Sequence, residues 1–215
     1  MSANGPTIAV VDYGMGNRRS VEKALAHVGA RPLLTREHDA IRAADGLVVP
    51  GVGAFPRAMR NLNALGLDEL IVEAAQAGKP VLGICLGMQL LFERSVEVEP
   101  CEGLSLLRGD VRPLDAPGRP IPHIGWNVVR FERASRLTAA LPAEAAFYHV
   151  HSYVARPADP ADVLGLAEYG ERFASAVARE NVFGVQFHPE KSSRLGLRLL
   201  ASFSAACDRA VAPAA

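Results

Sequence analysis

The chain has 215 residues, 49% of them hydrophobic, and its 23 basic and 23 acidic residues cancel to zero formal charge. That length and apolar content suit one α/β domain with a core of its own. Neutrality without a basic block argues against nucleic acid or an anionic membrane as partner.

The first half alternates strands and helices. "TIAVVDYG" is a short apolar run ended by a turn, hence a buried strand. In "GNRRSVEKALAHVGA", Val21, Leu25 and Val28 recur at helical spacing, and Gly29 stands where a helix C-cap belongs. "RPLLT" reads as a second strand, "REHDAIRAA" as a short helix and "DGLVVPG" as a third strand. "FPRAMRNLNALG" and "LDELIVEAAQAG" are helical, "KPVLGIC" is a fourth strand, and "LGMQLLFER" reads as the helix after it. Near-continuous apolar strands between helices predict a parallel sheet covered on both faces.

The second half changes character. "LLRGDVRPLDAPGRPIPHIGWNVVRF" is rich in Pro and Gly and reads as loops with short β-like runs around it. "AAFYHVHSYVA", "VLGLAEYG", "FASAVARE" and "VFGVQF" follow in hairpin-like order. "SSRLGLRLLASFSAACDRA" is a closing helix, and the tail "AVAPAA", 210–215, is expected to fray. The fold class is therefore α/β: an open, mostly parallel twisted sheet flanked by helices, with an antiparallel extension in the C-terminal half. One domain is expected over 1–209. The start carries no basic segment with a long apolar stretch behind it, so no signal peptide is expected, and no apolar run reaches the length of a membrane span. Cys85, Cys101 and Cys207 fall at unrelated spacings, which suggests neither a disulfide framework nor a zinc site. A cytoplasmic home, where thiols stay reduced, fits.

"GICLGMQLLF" places Cys85 between a strand and a helix, the end of an α/β sheet where ligands gather. Two readings stand side by side. Cysteine is often a small buried hydrophobe. Alternatively, Gly83 and Gly87 make room for a sharp elbow, and the thiol meets the free N–H groups and positive dipole of a helix start, which favour the attacking thiolate. The Leu86 N–H is then placed to donate to an oxyanion. "GVQFHPEK" supplies the base such a nucleophile needs. Pro189 biases His188 toward extended chain, where His188 and Glu190, two apart, share a side. That is a base with its orienting carboxylate; a surface turn is the plainer alternative. "VVPGVGAF" ends the third strand. Gly51 and Gly53 around Val52 let backbone approach a ligand and let a peptide rotate, so the Val52 N–H is the candidate second donor of an oxyanion hole that need not be permanently formed.

His149 and His151 lie two apart on a strand, a pair without a third ligand at a matching spacing, so no metal site is expected. "DYGMGN" lacks the spacing of a dinucleotide fingerprint, and nothing else calls for a cofactor.

Together "PGVGAF", "GICLGMQLLF" and "FHPEKS" resemble the glutamine amidotransferases with a Cys-His-Glu triad. "VDYGMGN", "HIGWN" and "HSY" bring the resemblance closer to the glutaminase subunits of imidazole glycerol phosphate synthases, over residues 11 to 193. Arg18-Arg19 departs slightly from that pattern, at a helix start away from the chemistry. The resemblance implies hydrolysis of L-glutamine by Cys85, His188 and Glu190 through a γ-glutamyl thioester, with Val52 and Leu86 N–H groups forming the oxyanion hole. It implies substrate contacts from Gly51, Gly53, Gln89, Ser152 and Tyr153, and no cofactor. It further implies a heterodimer with a (β/α)₈-barrel cyclase subunit, which receives the ammonia for histidine biosynthesis. Gln89 can instead face solvent. Trp126, the single Trp, can be core or interface. Two other functions stand against this one. A related amidase would act on another amide, and a non-catalytic module would lack a triad member, whereas all three are present.

Overall fold

The computed structural model describes residues 5–208; the tail 210–215 lies outside the described residues. The first half follows the predicted order: β1 (Thr7–Val11), α1 (Arg18–His27), β2 (Arg31–Thr35), α2 (His38–Ala43), β3 (Gly46–Gly51), α3 (Phe55–Ala64), α4 (Leu67–Gln76) and β4 (Val81–Cys85). Gly29 caps α1 as expected. It takes φ +90°, its N–H bonds Ala26 O, and the N–H of Ala30 reaches back to Leu25 O. These two bonds close the helix and satisfy its last carbonyls.

β4 runs straight into α5 (Leu86–Leu90). The remaining elements are β5 (Phe92–Ser95), β6 (Cys101–Glu102), β7 (Leu107–Pro113), β8 (His123–Phe131), β9 (Glu144–His151), β10 (Tyr153–Pro157), β11 (Val163–Tyr169), β12 (Glu171–Arg179), β13 (Val182–Val185) and α6 (Ser193–Cys207). The main sheet has nine strands in the order β2-β1-β3-β4-β13-β12-β11-β8-β9. The pairings from β2 through β13 are parallel, and those from β13 to β9 are antiparallel. This is the open α/β sheet with its antiparallel extension.

Successive residues of the central strands enter opposite cores, as the two-residue strand period requires. Ile8 and Val10 pack with Val21 and Leu25 of α1 and with Leu199 and Phe203 of α6. Ala9 and Val11 pack with Ile41, Leu62 and Ile71 of the helices on the other face. Burial on both faces is why these strands read as unbroken apolar runs.

Three expectations are corrected. The helix predicted over "LGMQLLFER" is only five residues long. Phe92 already belongs to β5, which pairs with β7 through Phe92–Leu107 and Ser95–Val111. A short apolar run has no periodicity that separates helix from strand, and tertiary pairing decides it. Secondly, not all of the second half extends the main sheet, because β10, β7, β5 and β6 form a separate four-stranded sheet. "AAFYHVHSYVA" divides at Ser152, with β9 in one sheet and β10 in the other. Thirdly, the Pro-rich stretch is not mainly loop, since it holds all of β7 and all of β8.

Candidate active site

Cys85 ends β4 with φ +56° and ψ −113°, a conformation that costs a non-glycine residue on the order of 1–3 kcal/mol. The glycines around it cannot be replaced without a collision. A Cβ on Gly87 would lie 1.8 Å from Val49 O, and one on Gly83 would lie 2.5 Å from Gly87 O. Close backbone packing thus forces the strand to turn abruptly into α5. The β3–β4 register sets Gly51 opposite Cys85, which brings the following loop beside the elbow. Gly53 in that loop takes φ +111°, and the Val52 side chain is 42% exposed.

The thiol is 6% exposed. Its Sγ lies 3.7 Å from Val150 O and 3.7 Å from Gln186 Nε2. Cys85 and His188 line the same cavity, and His188 Nδ1 lies 2.8 Å from Glu190 Oε1. Burial would lower the His188 pKa, but its hydrogen bonds and charge interactions with Cys85 and Glu190 outweigh that and raise it to about 9. The backbone holds this histidine firmly. Its N–H donates to Tyr148 O at 2.9 Å, and Ser192 Oγ donates to its carbonyl at 2.6 Å. His188 is extended (φ −102°, ψ 95°), as Pro189 requires. Glu190 reaches it for a reason other than strand alternation. Residues Pro189–Lys191 form a 3-10 turn, and the turn folds the carboxylate back toward the ring.

A cavity of about 270 Å³ opens over the thiol. Val52, Gly53, Leu86, Gln89, Ser152, Tyr153, Cys85 and His188 all line it. Two expected site residues do not: Glu190 sits behind His188, and Gly51 is packed beneath Leu86, where a Cβ would be 2.8 Å from the Leu86 Cβ. Gln89 does not face solvent. Its Nε2 donates to Tyr153 O and to Gln186 Oε1, each at 3.0 Å. The Ser152 carbonyl is taken by Leu114 N, and that of Tyr153 by Gln89 and by the His151 ring, whose Nδ1 lies 3.1 Å away.

Sequence reasoning missed three participants. Gln186 is fully buried next to the thiol; a Gln inside an otherwise apolar strand run was the available signal. Asn17 donates Nδ2 to Glu190 Oε1 at 3.1 Å, 173 positions away, which no local pattern reveals. Tyr13 donates its hydroxyl to Pro50 O at 2.6 Å, pinning the peptide that leads into the Val52 loop.

The paired histidines form a cluster beside the site, and His151 also lines the cavity over the thiol. His123 stacks on His149, with ring centroids 5.2 Å apart, and its Nδ1 lies 3.2 Å from His151 Nε2. His149 has both nitrogens engaged, with Phe147 O at 3.0 Å and Ser175 Oγ at 2.8 Å. Burial and the neighbouring His123 push the His151 pKa down to about 3, and burial pushes His149 well down too. Among the described residues no group of three or more His, Cys, Asp or Glu is arranged to hold a metal. A larger cavity, about 720 Å³, lies at the opposite end of the strands. Its Lys79 and Asn181 spend their side chains on backbone carbonyls, which marks them as structural. None of the described helices is long and apolar enough to cross a membrane.

Comparison with known proteins bears on this geometry. A family model described as "Glutamine amidotransferase class-I" matches residues 9–206. The imidazole glycerol phosphate synthase subunit HisH of Moorella thermoacetica is 51% identical over 196 residues, covering 91% of this chain and 93% of that protein. The chain belongs to the HisH family of class-I glutamine amidotransferases. The HisH proteins of Bacillus cereus (strain G9842) and Symbiobacterium thermophilum are 49% and 50% identical over the same length, covering 93% and 92% of those proteins. Solved structures share the fold at lower identity. PurLQS from Thermotoga maritima superposes with a TM-score of 0.73 at 21% identity, covering 95% of this chain and 100% of that one. The glutaminase domain of Trypanosoma brucei CTPS, with bound acivicin, gives 0.67 at 22%, covering 94% and 93%. Against these, the HisH-family chain has the expected mixed α/β sheet, with its candidate residues at the carboxyl ends of β3 and β4 and just beyond β13.

Proposed function

We propose that this HisH-family subunit hydrolyses L-glutamine to L-glutamate and ammonia with Cys85, His188 and Glu190, within one amidotransferase domain spanning 1–209. The observation that carries the proposal is the strained Cys85 elbow, which shares one cavity with a buried histidine that a carboxylate orients at 2.8 Å. His188, kept protonated by its raised pKa, has already taken the thiol proton when Cys85 Sγ attacks the side-chain amide carbon. The tetrahedral oxyanion is held by the Leu86 N–H and by the Val52 N–H, the latter after rotation of a peptide flanked by Gly51 and Gly53. With a pKa of about 9, His188 stays protonated at neutral pH. It gives that proton to the departing nitrogen as the C–N bond breaks, leaving the γ-glutamyl thioester and ammonia. His188 then takes a proton from water, which attacks the thioester and returns the thiol. Gln89, Ser152 and Tyr153 hold the amino-acid end of the substrate, in a cavity sized for a small polar molecule.

The ammonia passes to a partner cyclase subunit of (β/α)₈-barrel fold, which uses it to make imidazole glycerol phosphate and AICAR in histidine biosynthesis, in the cytoplasm. The outer face of β8 supports a protein partner. Ile124, Trp126 and Val128 alternate along it at 60%, 56% and 51% exposure. A stripe of large apolar side chains on a monomer surface marks an interaction site, and Trp is enriched there. Trp126 is thus not core.

Glutamine hydrolysis measured with and without the cyclase subunit and its nucleotide substrate tests the reading. Cys85→Ala is expected to abolish glutamine-dependent synthesis and to leave ammonia-dependent synthesis intact. Surviving glutamine-dependent activity would refute it. Other amides hydrolysed as fast as glutamine would favour the broader amidase.

A further inference from the structure

Gln186 is fully buried between β12 and the elbow, and its own N–H is tied to Ser175 O at 2.9 Å. A buried primary amide has to find fixed partners for its oxygen and its nitrogen. Here the sense of the hydrogen bonds is set by one atom that admits no alternative. The backbone carbonyl of Tyr153 can only accept, so the end of Gln89 that faces it at 3.0 Å is the nitrogen. That nitrogen also faces Gln186 at 3.0 Å and requires the Gln186 oxygen there. The Gln186 nitrogen is thereby turned toward Cys85 Sγ, 3.7 Å away. Of the titratable groups, His188 beyond β13 and Tyr13 ahead of α1 lie close enough to Cys85 to feel its charge.

We propose that Gln186 is a positioning residue for Cys85, and that the chain Tyr153 carbonyl–Gln89–Gln186 links the substrate cavity to the nucleophile. Its N–H holds the sulfur in the attacking direction, as a donor aimed at the reacting atom. Its oxygen holds the Gln89 amide in the orientation that faces the cavity. One residue therefore serves attack through its nitrogen and substrate binding through its oxygen. The proposal rests on the reading of Cys85 as nucleophile.

The two functions separate by substitution in the assembled synthase. Gln186→Met removes both, whereas Gln186→Glu keeps the acceptor for Gln89 and loses the donor to sulfur. The readouts are alkylation of Cys85 by iodoacetamide, followed by peptide mass spectrometry across pH, and kcat and KM for glutamine. Gln186→Met is expected to slow alkylation about tenfold, the equivalent of one hydrogen bond. It also raises KM. Gln186→Glu is expected to slow alkylation at least as much while KM stays within about twofold of the parent, since an acceptor remains for Gln89. Alkylation within twofold of the parent at every pH in both variants would overturn the proposal, and so would an equal rise of KM in the two. If neither variant folds, Gln89→Met carries the test. It leaves Gln186 in place but frees its amide to turn, and slower alkylation supports the chain while an unchanged rate overturns it. Cys85→Ala keeps the two levels apart. Hydrolysis surviving in that variant removes the nucleophile itself, whereas its loss beside silent Gln186 variants removes only the amide chain.

Discussion

The chain holds two buried sets of histidine, and they are tuned in opposite directions. His188 faces a thiol and a carboxylate, and its pKa rises to about 9. His123, His149 and His151 face rings, backbone carbonyls and one another, and burial pushes all three down, His151 to about 3. Both sets lie under the same sheet and are comparably hidden. The difference is that His188 has anionic neighbours to offset its desolvation and the cluster has none. One histidine is kept charged and can deliver a proton; the others are kept neutral and serve as hydrogen-bonded packing. Residue type alone therefore does not identify the base.

The sharpest way to break this contrast is to remove the charged member. His188→Asn is expected to lower kcat for glutamine roughly 10⁴-fold with little change in KM, read by steady-state assay of the complex. Comparable activity would place the base elsewhere. Glu190→Gln is next, with a loss of roughly 10³-fold, because His188 loses its orienting partner. Its second signature is a shift in pH dependence. The alkaline limb of kcat/KM, set near pH 9 by His188, moves to lower pH once the carboxylate no longer raises that pKa. An unmoved limb would show that Glu190 does not act through His188.

Smaller effects concern folding. Gly87→Ala drives a Cβ against Val49 O and is expected to cost about 3 kcal/mol in chemical unfolding, an overpacking penalty at the elbow. The two histidine sets also leave opposite marks on stability. His188, raised above 6.5, contributes stability that is complete below about pH 6.5 and lost as pH rises through 9. His151, depressed below 6.5, contributes stability present above about pH 6.5 and lost as pH falls toward 3. His151→Asn keeps a donor for Tyr153 O and does not titrate, so its acid unfolding in circular dichroism shifts to lower pH. The same acid transition in variant and parent would mean that another group drives it.

Much of the fold and of the site was legible in the sequence, for identifiable reasons. The parallel strands are buried on both faces, so Ile8–Val11 and Leu47–Val49 announce themselves as apolar runs. Cys85, flanked by Gly83 and Gly87, and His188, held extended by Pro189, carry their backbone constraints in adjacent residues. What was hidden depends on distant partners. Phe92–Ser95 becomes a strand only because β7 is there to pair with it, and Ser152 separates two sheets that no local pattern distinguishes. Asn17 and Gln186 are brought to the triad by the parallel alignment of β1 and β13 in one sheet, each lying beyond its strand's carboxyl end, and only a Gln within "VFGVQF" hinted at one of them.

The most direct measurement is rapid acid quenching of the assembled synthase during turnover with glutamine, followed by peptide mass spectrometry. A γ-glutamyl adduct on Cys85, forming and decaying at rates compatible with turnover and absent from Cys85→Ala, is the predicted result. An adduct on another residue, or hydrolysis that persists in Cys85→Ala, would contradict the mechanism.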